Sequence, residues 1–305
     1  MALQKAKSAL RNAMTVGLAA GFAFLQWSCQ PEEGEAYSTR KLTENKADIE
    51  AYLQRQGLTA QRTENDLYYV VSTTNPNGQK PQTGDEIRFQ YVKYRLDGIV
   101  VDSTTTASPA RLIYDAYGYT LAPGIIEGVQ LLKEGETATL FLPYNLQNTN
   151  QGTLLLPAFS PARYVVRVTS VRTETEQITD YLTANKLTDK FETTSSGLRF
   201  YRTATYADSA QVKTGQTVTM KYTGKLLDGT QFDSSTNFNF KPGEGQVVKG
   251  YEEAALKMRV GEKATVIMPS AVAYGVQGSF NQNTRQYTIP PYTPLVFDIE
   301  IVSSK

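Results

Sequence analysis

Apolar positions along the chain follow two rhythms. Ile49, Tyr52 and Leu53 stand at i, i+3 and i+4, and so do Ile178, Tyr181 and Leu182. That spacing puts each trio on one face of a short helix. Elsewhere the period drops to two: VTMKYTGKL (218–226) and LVFDIEIV (295–302) alternate apolar with polar side chains. This is the pattern of antiparallel strands with one buried face. In the second half it predicts strands over roughly 198–204, 216–227, 230–234, 262–268 and 294–302. GYEEAALKM (250–258), closed off by Val260-Gly261, is the best helix candidate there. A single short helix against a curved sheet is an α+β arrangement.

The whole pattern occurs twice, about 130 residues apart. Leu67 and Tyr69 correspond to Leu198 and Phe200, Thr83-Gly84 to Thr214-Gly215, and Tyr91 to Tyr222. Asp97-Gly98 and Asp102-Ser103 return as Asp228-Gly229 and Asp233-Ser234, and LKEGETATLFLP (132–143) returns as MRVGEKATVIMP (258–269). One such pair could arise by chance; an ordered series marks a tandem duplication. The expected domains are 47–172 and 173–305, each opened by a short helix.

The amino terminus follows different rules. Lys5, Lys7 and Arg11 precede the apolar run AMTVGLAAGFAFL, which leads to Ser28 and the single cysteine, Cys29. A basic segment, a short apolar segment and a small residue before cysteine resemble a bacterial lipoprotein signal over residues 1–29. Cys29 would then be the lipidated first residue of the mature chain. The apolar run is too short to span a bilayer comfortably. The polar, acidic stretch that follows predicts a flexible tether over 30–46. This reading expects a lipid anchor in the cell envelope, at the outer membrane, with periplasmic and surface display both open. With Cys29 committed to lipid, no disulfide is available, so packing alone must hold each domain.

Composition narrows the chemistry. The formal charge is +1 without a basic stripe, which gives nucleic-acid binding little support. Histidine is absent, so neither imidazole nor a thiolate is at hand within the two domains, and no metal or cofactor is expected.

The run VTMKYTGKLLDGTQFDSS, then FNFKPGEGQVVKGYEEAALKMRVGEKATVIMPS, AYG and IPPYTPLVFDIEIV, covering about 213–303, resembles an FKBP-type peptidyl-prolyl cis-trans isomerase. The resemblance implies an antiparallel sheet wrapped around a short helix, with an apolar pocket between them. It implies catalytic roles for Tyr222, Phe232, Asp233 and Tyr274. It also implies substrate contacts from Phe238, Val247, Val248, Tyr251, Ala273, Ile289 and Phe297, with Phe240 behind them. Proline-containing polypeptides would be the clients, and macrolide inhibitors would fit the same pocket. Two departures stand out. Tyr251 replaces the tryptophan usual at the pocket floor, and VQGSFNQNTRQYT (276–288) lengthens the loop at the rim.

Such a pocket suits a reaction that makes no covalent bond. Rotation about an X-Pro bond faces about 18–20 kcal/mol because twisting destroys amide resonance. The twisted amide has less charge separation, so a dry aromatic pocket favours it over the planar ground state. The first domain keeps Tyr91 and Asp102 but has Val101, Ile125 and Asn148 where the second has Phe232, Tyr251 and Tyr274. The leading expectation is an isomerase assisting the folding of exported proteins, catalytic in the second domain. The alternatives are a non-catalytic peptide-binding chaperone and a structural subunit of an envelope complex. The leading helices are compatible with a monomer or a dimer.

Overall fold

The computed structural model describes residues 36–114, 121–147 and 151–305; the leader and Cys29 lie outside them. The chain divides into a unit ending at Glu44 and a unit running Asn45–Lys305. Helix α1 spans Tyr37–Gln56, so residues 37–46 are helical where a tether was expected, and the helix is not short. Neither glycine nor proline interrupts this stretch. Arg40 and Lys41 pair with Glu44 one turn on, the spacing at which opposite charges support a helix. The inward face, Asn45, Ile49 and Leu53, begins with a polar residue, which hides that turn from a hydrophobic pattern. Gly57, at φ 63°, ends the helix in the left-handed conformation that glycine adopts most easily.

The first domain continues through β1 (Gln61–Arg62), β2 (Tyr68–Thr73), β3 (Glu86–Tyr94), β4 (Val100–Ser103), β5 (Ala110–Ile113), α2 (Pro123–Leu131), β6 (Thr137–Leu142) and β7 (Ala162–Arg172). Its strands run in the order β1-β2-β6-β7-β3-β4, with β5 also paired to β3. Helix α3 (Glu174–Ala184) then leads into β8 (Glu192–Thr193), β9 (Arg199–Ala204), β10 (Val218–Leu226) and β11 (Gln231–Phe240). After α4 (Lys249–Leu256) come β12 (Lys263–Met268), a hairpin of β13 (Ser279–Asn281) and β14 (Gln286–Ile289), and β15 (Leu295–Ser304). The second sheet runs β11-β10-β15-β12-β9-β8, antiparallel throughout.

Alternation along β15 explains the layering. Leu295, Phe297, Ile299 and Ile301 join Met220, Val266 and the helix residues Ala254 and Ala255 in one core. Val296 points the other way and packs with Ile267 against Ile178 and Leu182 of α3. The sheet is thus covered on both faces, by α4 within and α3 outside. Each fully buried aliphatic or aromatic side chain contributes about 1.5–3 kcal/mol. In the first domain, α1 repeats the outer arrangement, with Ile49 and Leu53 against Tyr68 and Phe141.

One difference between the copies follows from local sequence. The edge strand β11 runs unbroken over Gln231–Phe240, longer than the period-two pattern marked it. Its counterpart in the first domain is split into β4 and β5 around residues 104–109. Pro109 lies in that break, and proline cannot donate to a ladder.

Candidate functional site

Strand β10 builds the centre of the site. Tyr222 sits two residues before Gly224, which pairs with Asp233 of β11 on one side and Phe297 of β15 on the other. The rings of Phe232 and Phe297 close over Gly224, their centroids 5.5 Å apart and nearly perpendicular. A Cβ on Gly224 would lie 2.6 Å from Phe232 and 2.8 Å from Phe297, inside van der Waals contact. Glycine is required there because two aromatic walls approach the backbone. The glycine inside a strand pattern was the signal for this, although the motif reading assigned Gly224 no role.

Tyr251, in the first turn of α4, forms the floor. Its ring packs edge-on against Tyr222 at 5.6 Å and against Phe297 at 5.5 Å, with Phe240 behind it at 5.5 Å. Phe238 closes a further side, edge-on to Tyr222 at 5.6 Å. Edge-to-face pairs such as these rigidify a cage beyond what burial alone supplies. The cage encloses a cavity of about 460 Å³, lined by Tyr222, Phe232, Asp233, Phe238, Gln246, Val247, Val248, Tyr251, Tyr274 and Phe297.

The polar groups converge at its edge. The Tyr222 hydroxyl donates to Asp233 Oδ2 at 2.6 Å, and the Ser234 N–H donates to Asp233 Oδ1 at 2.8 Å. Asp233 is therefore tied down by two donors and holds the Tyr222 ring upright. Burial pushes the Tyr222 hydroxyl above the usual tyrosine range, and the bond to Asp233 adds to it. Burial does the same for Tyr251, with Tyr222 and Asp233 contributing. Tyr274 at the rim is raised as well, by burial first and then by Asp233. All three remain neutral hydrogen-bond donors well into the alkaline range. Among the described residues the buried Tyr251 hydroxyl has no hydrogen-bond partner. Val248 is the N-cap of α4; its carbonyl accepts from the Tyr251 N–H at 3.0 Å and the Glu252 N–H at 3.3 Å, while its own N–H lies ahead of the helical ladder.

Two residues implied by the resemblance lie elsewhere. Ile289 is 2% exposed and belongs to the core; pairing of β14 with Ser279 in β13 sets its register. Ala273 packs against the same core from the turn before Tyr274. Neither lines the cavity. Gln246, unassigned by sequence, does line it; its Oε1 accepts from the Lys241 N–H at 3.0 Å and closes the loop ahead of α4. Residues 276–288, the lengthened loop, carry most of the β13–β14 hairpin, with Phe280 and Tyr287 paired at 5.0 Å. Cys29 and Asn148 lie outside the described residues.

The first domain keeps the frame and fills the pocket differently. Tyr91 donates to Asp102 at 2.7 Å, and burial with that bond pushes Tyr91 up to about 12. The residue in the register of Gly224 is Lys93, paired with Asp102 and Tyr164. Its ammonium lies 5.4 Å from the centre of the Tyr164 ring, and burial pulls its pKa below the usual lysine range. Ile125 lies buried in the aliphatic core where the second domain has its tyrosine floor. Where Gly224 admits the Phe232 and Phe297 rings against the backbone, the first domain carries a lysine side chain beside its Tyr164 ring. A further opening of about 500 Å³ is bordered by Arg88, Arg111, Arg172, Glu86, Asp180 and Asp228. These charges pair with one another, and no comparable ring cage surrounds them.

Comparison with known proteins identifies the family. The family described as FKBP-type peptidyl-prolyl cis-trans isomerase matches residues 77–169 and 208–302. FK506-binding protein 2 of Dictyostelium discoideum is 41% identical over 98 residues, covering 31% of this chain and 69% of that protein. Peptidyl-prolyl cis-trans isomerase FKBP9 of Mus musculus is 28% identical over 228 residues, covering 73% of this chain. The chain spans only 35% of that longer relative. The crystal structure of the three FKBP domains of wheat FKBP73 is 20% identical, covering 81% of this chain and 99% of that one, with a TM-score of 0.39. Matched twice across more than half of its length, the chain belongs to the FKBP-type peptidyl-prolyl cis-trans isomerases and carries two of their domains in tandem.

Proposed function

We propose that the chain catalyses cis-trans isomerisation of X-Pro bonds in its second domain, and that the first domain is not catalytic. One contrast carries this reading. Gly224 lets Phe232 and Phe297 close against the backbone as walls of a cavity that Tyr222 and Tyr251 also line, whereas the first domain has Lys93 over the Tyr164 ring and Ile125 in its aliphatic core. In the open cage a proline ring displaces water and rests on the Tyr251 floor. Loss of water favours the twisted amide, whose dipole is smaller than that of the planar one. The Tyr274 hydroxyl and the Val248 N–H donate to peptide carbonyls and fix the segment, so rotation is confined to the X-Pro bond. Asp233 orients Tyr222 and moves no proton. A protease-coupled isomerisation assay on a proline tetrapeptide, run on fragments 36–172 and 173–305, tests the assignment. Activity confined to 173–305 supports it; turnover by 36–172 overturns it.

The proposed setting is folding of exported polypeptides from a lipid anchor at the outer membrane, with proline-containing clients and macrolides as ligands of the same pocket. The basic-apolar leader ending at Ser28-Cys29 supports the anchor. Replacement Cys29→Ala should block lipid attachment and release the chain from the membrane; unchanged membrane partition would refute the anchor.

A further inference from the structure

The turn that carries Tyr274 is held from outside its own sheet. Residues 270–272 form a short 3-10 helix after β12, and Ser270 is its fixed point. The Ser270 carbonyl accepts from the Ala273 N–H at 2.9 Å and from the Gly275 N–H at 2.8 Å, so one oxygen grips the backbone on both sides of Tyr274. Ser270 is in turn gripped by Glu174. One Glu174 oxygen accepts from the Ser270 N–H and the other from the Ser270 hydroxyl, the latter at 3.1 Å. Glu174 opens α3, just after the N-cap Thr173 and two residues beyond the end of β7. The path from the first domain to the rim of the second pocket is therefore Arg172, Thr173, Glu174, Ser270, Tyr274.

Duplication supplies an internal comparison. Asn45 of α1 occupies the place of Glu174. Its Oδ1 accepts from the Tyr144 N–H at 2.9 Å and its Nδ2 donates to the Phe159 carbonyl at 3.0 Å. Tyr144 opens the equivalent 3-10 turn, Tyr144–Leu146. Both leading helices thus present one polar side chain to the turn that follows the strand after the inner helix, β6 in one domain and β12 in the other. In the copy with the open cage that side chain is a carboxylate making two bonds to one residue. A carboxylate accepting from N–H and O–H donors makes stronger bonds than a neutral amide.

We propose that Glu174 is a positioning residue for the isomerase reaction, setting the height of the Tyr274 hydroxyl over the cage through Ser270. This rests on the second domain being the catalytic one. The test uses the full chain, a proline tetrapeptide and a temperature well below the melting point of every variant. Glu174→Ala should lower kcat/KM about three- to tenfold. Glu174→Gln should stay within about twofold of the parent, because its amide oxygen still accepts from the Ser270 N–H. Combining Glu174→Ala with Tyr274→Phe should cost no more than Tyr274→Phe alone, since both changes act on one hydroxyl. Asn45→Ala, the counterpart change, should lower the melting temperature and leave kcat/KM unchanged. If Glu174→Ala does not fold, Ser270→Ala removes only the hydroxyl bond and enters the same cycle with Tyr274→Phe. Full activity in the single variant, or losses that multiply in the double variant, overturns the proposal. Should Tyr274→Phe and Phe232→Ala both retain full activity, the assignment to the second domain fails and Glu174 with it.

Discussion

Phe232 and Tyr274 border the same cavity but contribute differently, and their variants should separate the two effects. Phe232→Ala removes an apolar wall worth about 1.5–3 kcal/mol and should lower kcat/KM about tenfold or more. Tyr274→Phe keeps the ring and loses one hydrogen bond, worth about 0.5–1.5 kcal/mol. If the second loss exceeds the first, orientation rather than desolvation dominates. The pocket hydroxyls make a second prediction. Tyr222, Tyr251 and Tyr274 are all raised above the ordinary value near 10, so none ionises as pH rises through neutrality. With no histidine in the chain, kcat/KM should stay level from about pH 6 to pH 9; a bell centred near neutrality would refute the desolvation mechanism. Stability should behave differently. Above about pH 10 the unfolded tyrosines ionise while the folded ones keep their protons. Stability is therefore fully present below that pH and lost as pH rises through the folded values, which denaturant titrations at pH 8 and pH 10.5 would measure.

At the scale of elements, α3 joins the two sheets and is strongly capped. The Thr173 hydroxyl accepts from the Glu176 N–H at 3.2 Å, while the Thr173 N–H donates to Glu176 at 2.8 Å. This reciprocal arrangement is a capping box, T-x-x-E ahead of an apolar helix face. Thr173→Ala should cost about 1 kcal/mol, visible as a shift in the denaturant midpoint, with Thr173→Asp recovering most of it. No shift would mean that packing of Ile178 and Leu182 on Ile267 and Val296 alone secures the helix. The hairpin β13–β14 is the element least legible in the sequence. Its strands are short, and its only register marks are the Phe280–Tyr287 pair and Ile289.

At the scale of the whole molecule, the two domains share a plan. Arg111 of β5 pairs with Asp228 in the turn between β10 and β11, and the Tyr292 ring lies against Gly84. The Tyr292 N–H also donates to the Gly275 carbonyl at 2.9 Å, beside Tyr274. A first domain with Lys93 and Ile125 in place of Gly224 and Tyr251 can still hold extended client segments and raise their effective concentration at the second. The full chain should then exceed fragment 173–305 on an unfolded protein client and match it on a tetrapeptide. Equal rates on both substrates would reduce the first domain to a spacer.

Duplication, α+β class and the order of strands and the short helix along the chain were legible in the sequence. They depend on local periodicity, turn residues and ordered motifs, which a chain carries wherever it folds. Other features required the tertiary structure. The start of α1 was hidden because its buried face opens with Asn45, whose partners Tyr144 and Phe159 lie about a hundred residues away. Lys93 reads as an ordinary strand lysine until β3, β4 and β7 place it over Tyr164. Ile289 carries a pocket motif yet turns into the core, because hydrogen bonding to β13 decides which face it takes. Glu174 and Ser270 meet across 96 residues, a contact created by docking α3 on the outer face of the sheet. Periodicity records which face of an element is apolar; which distant group meets it is settled only when the sheets close.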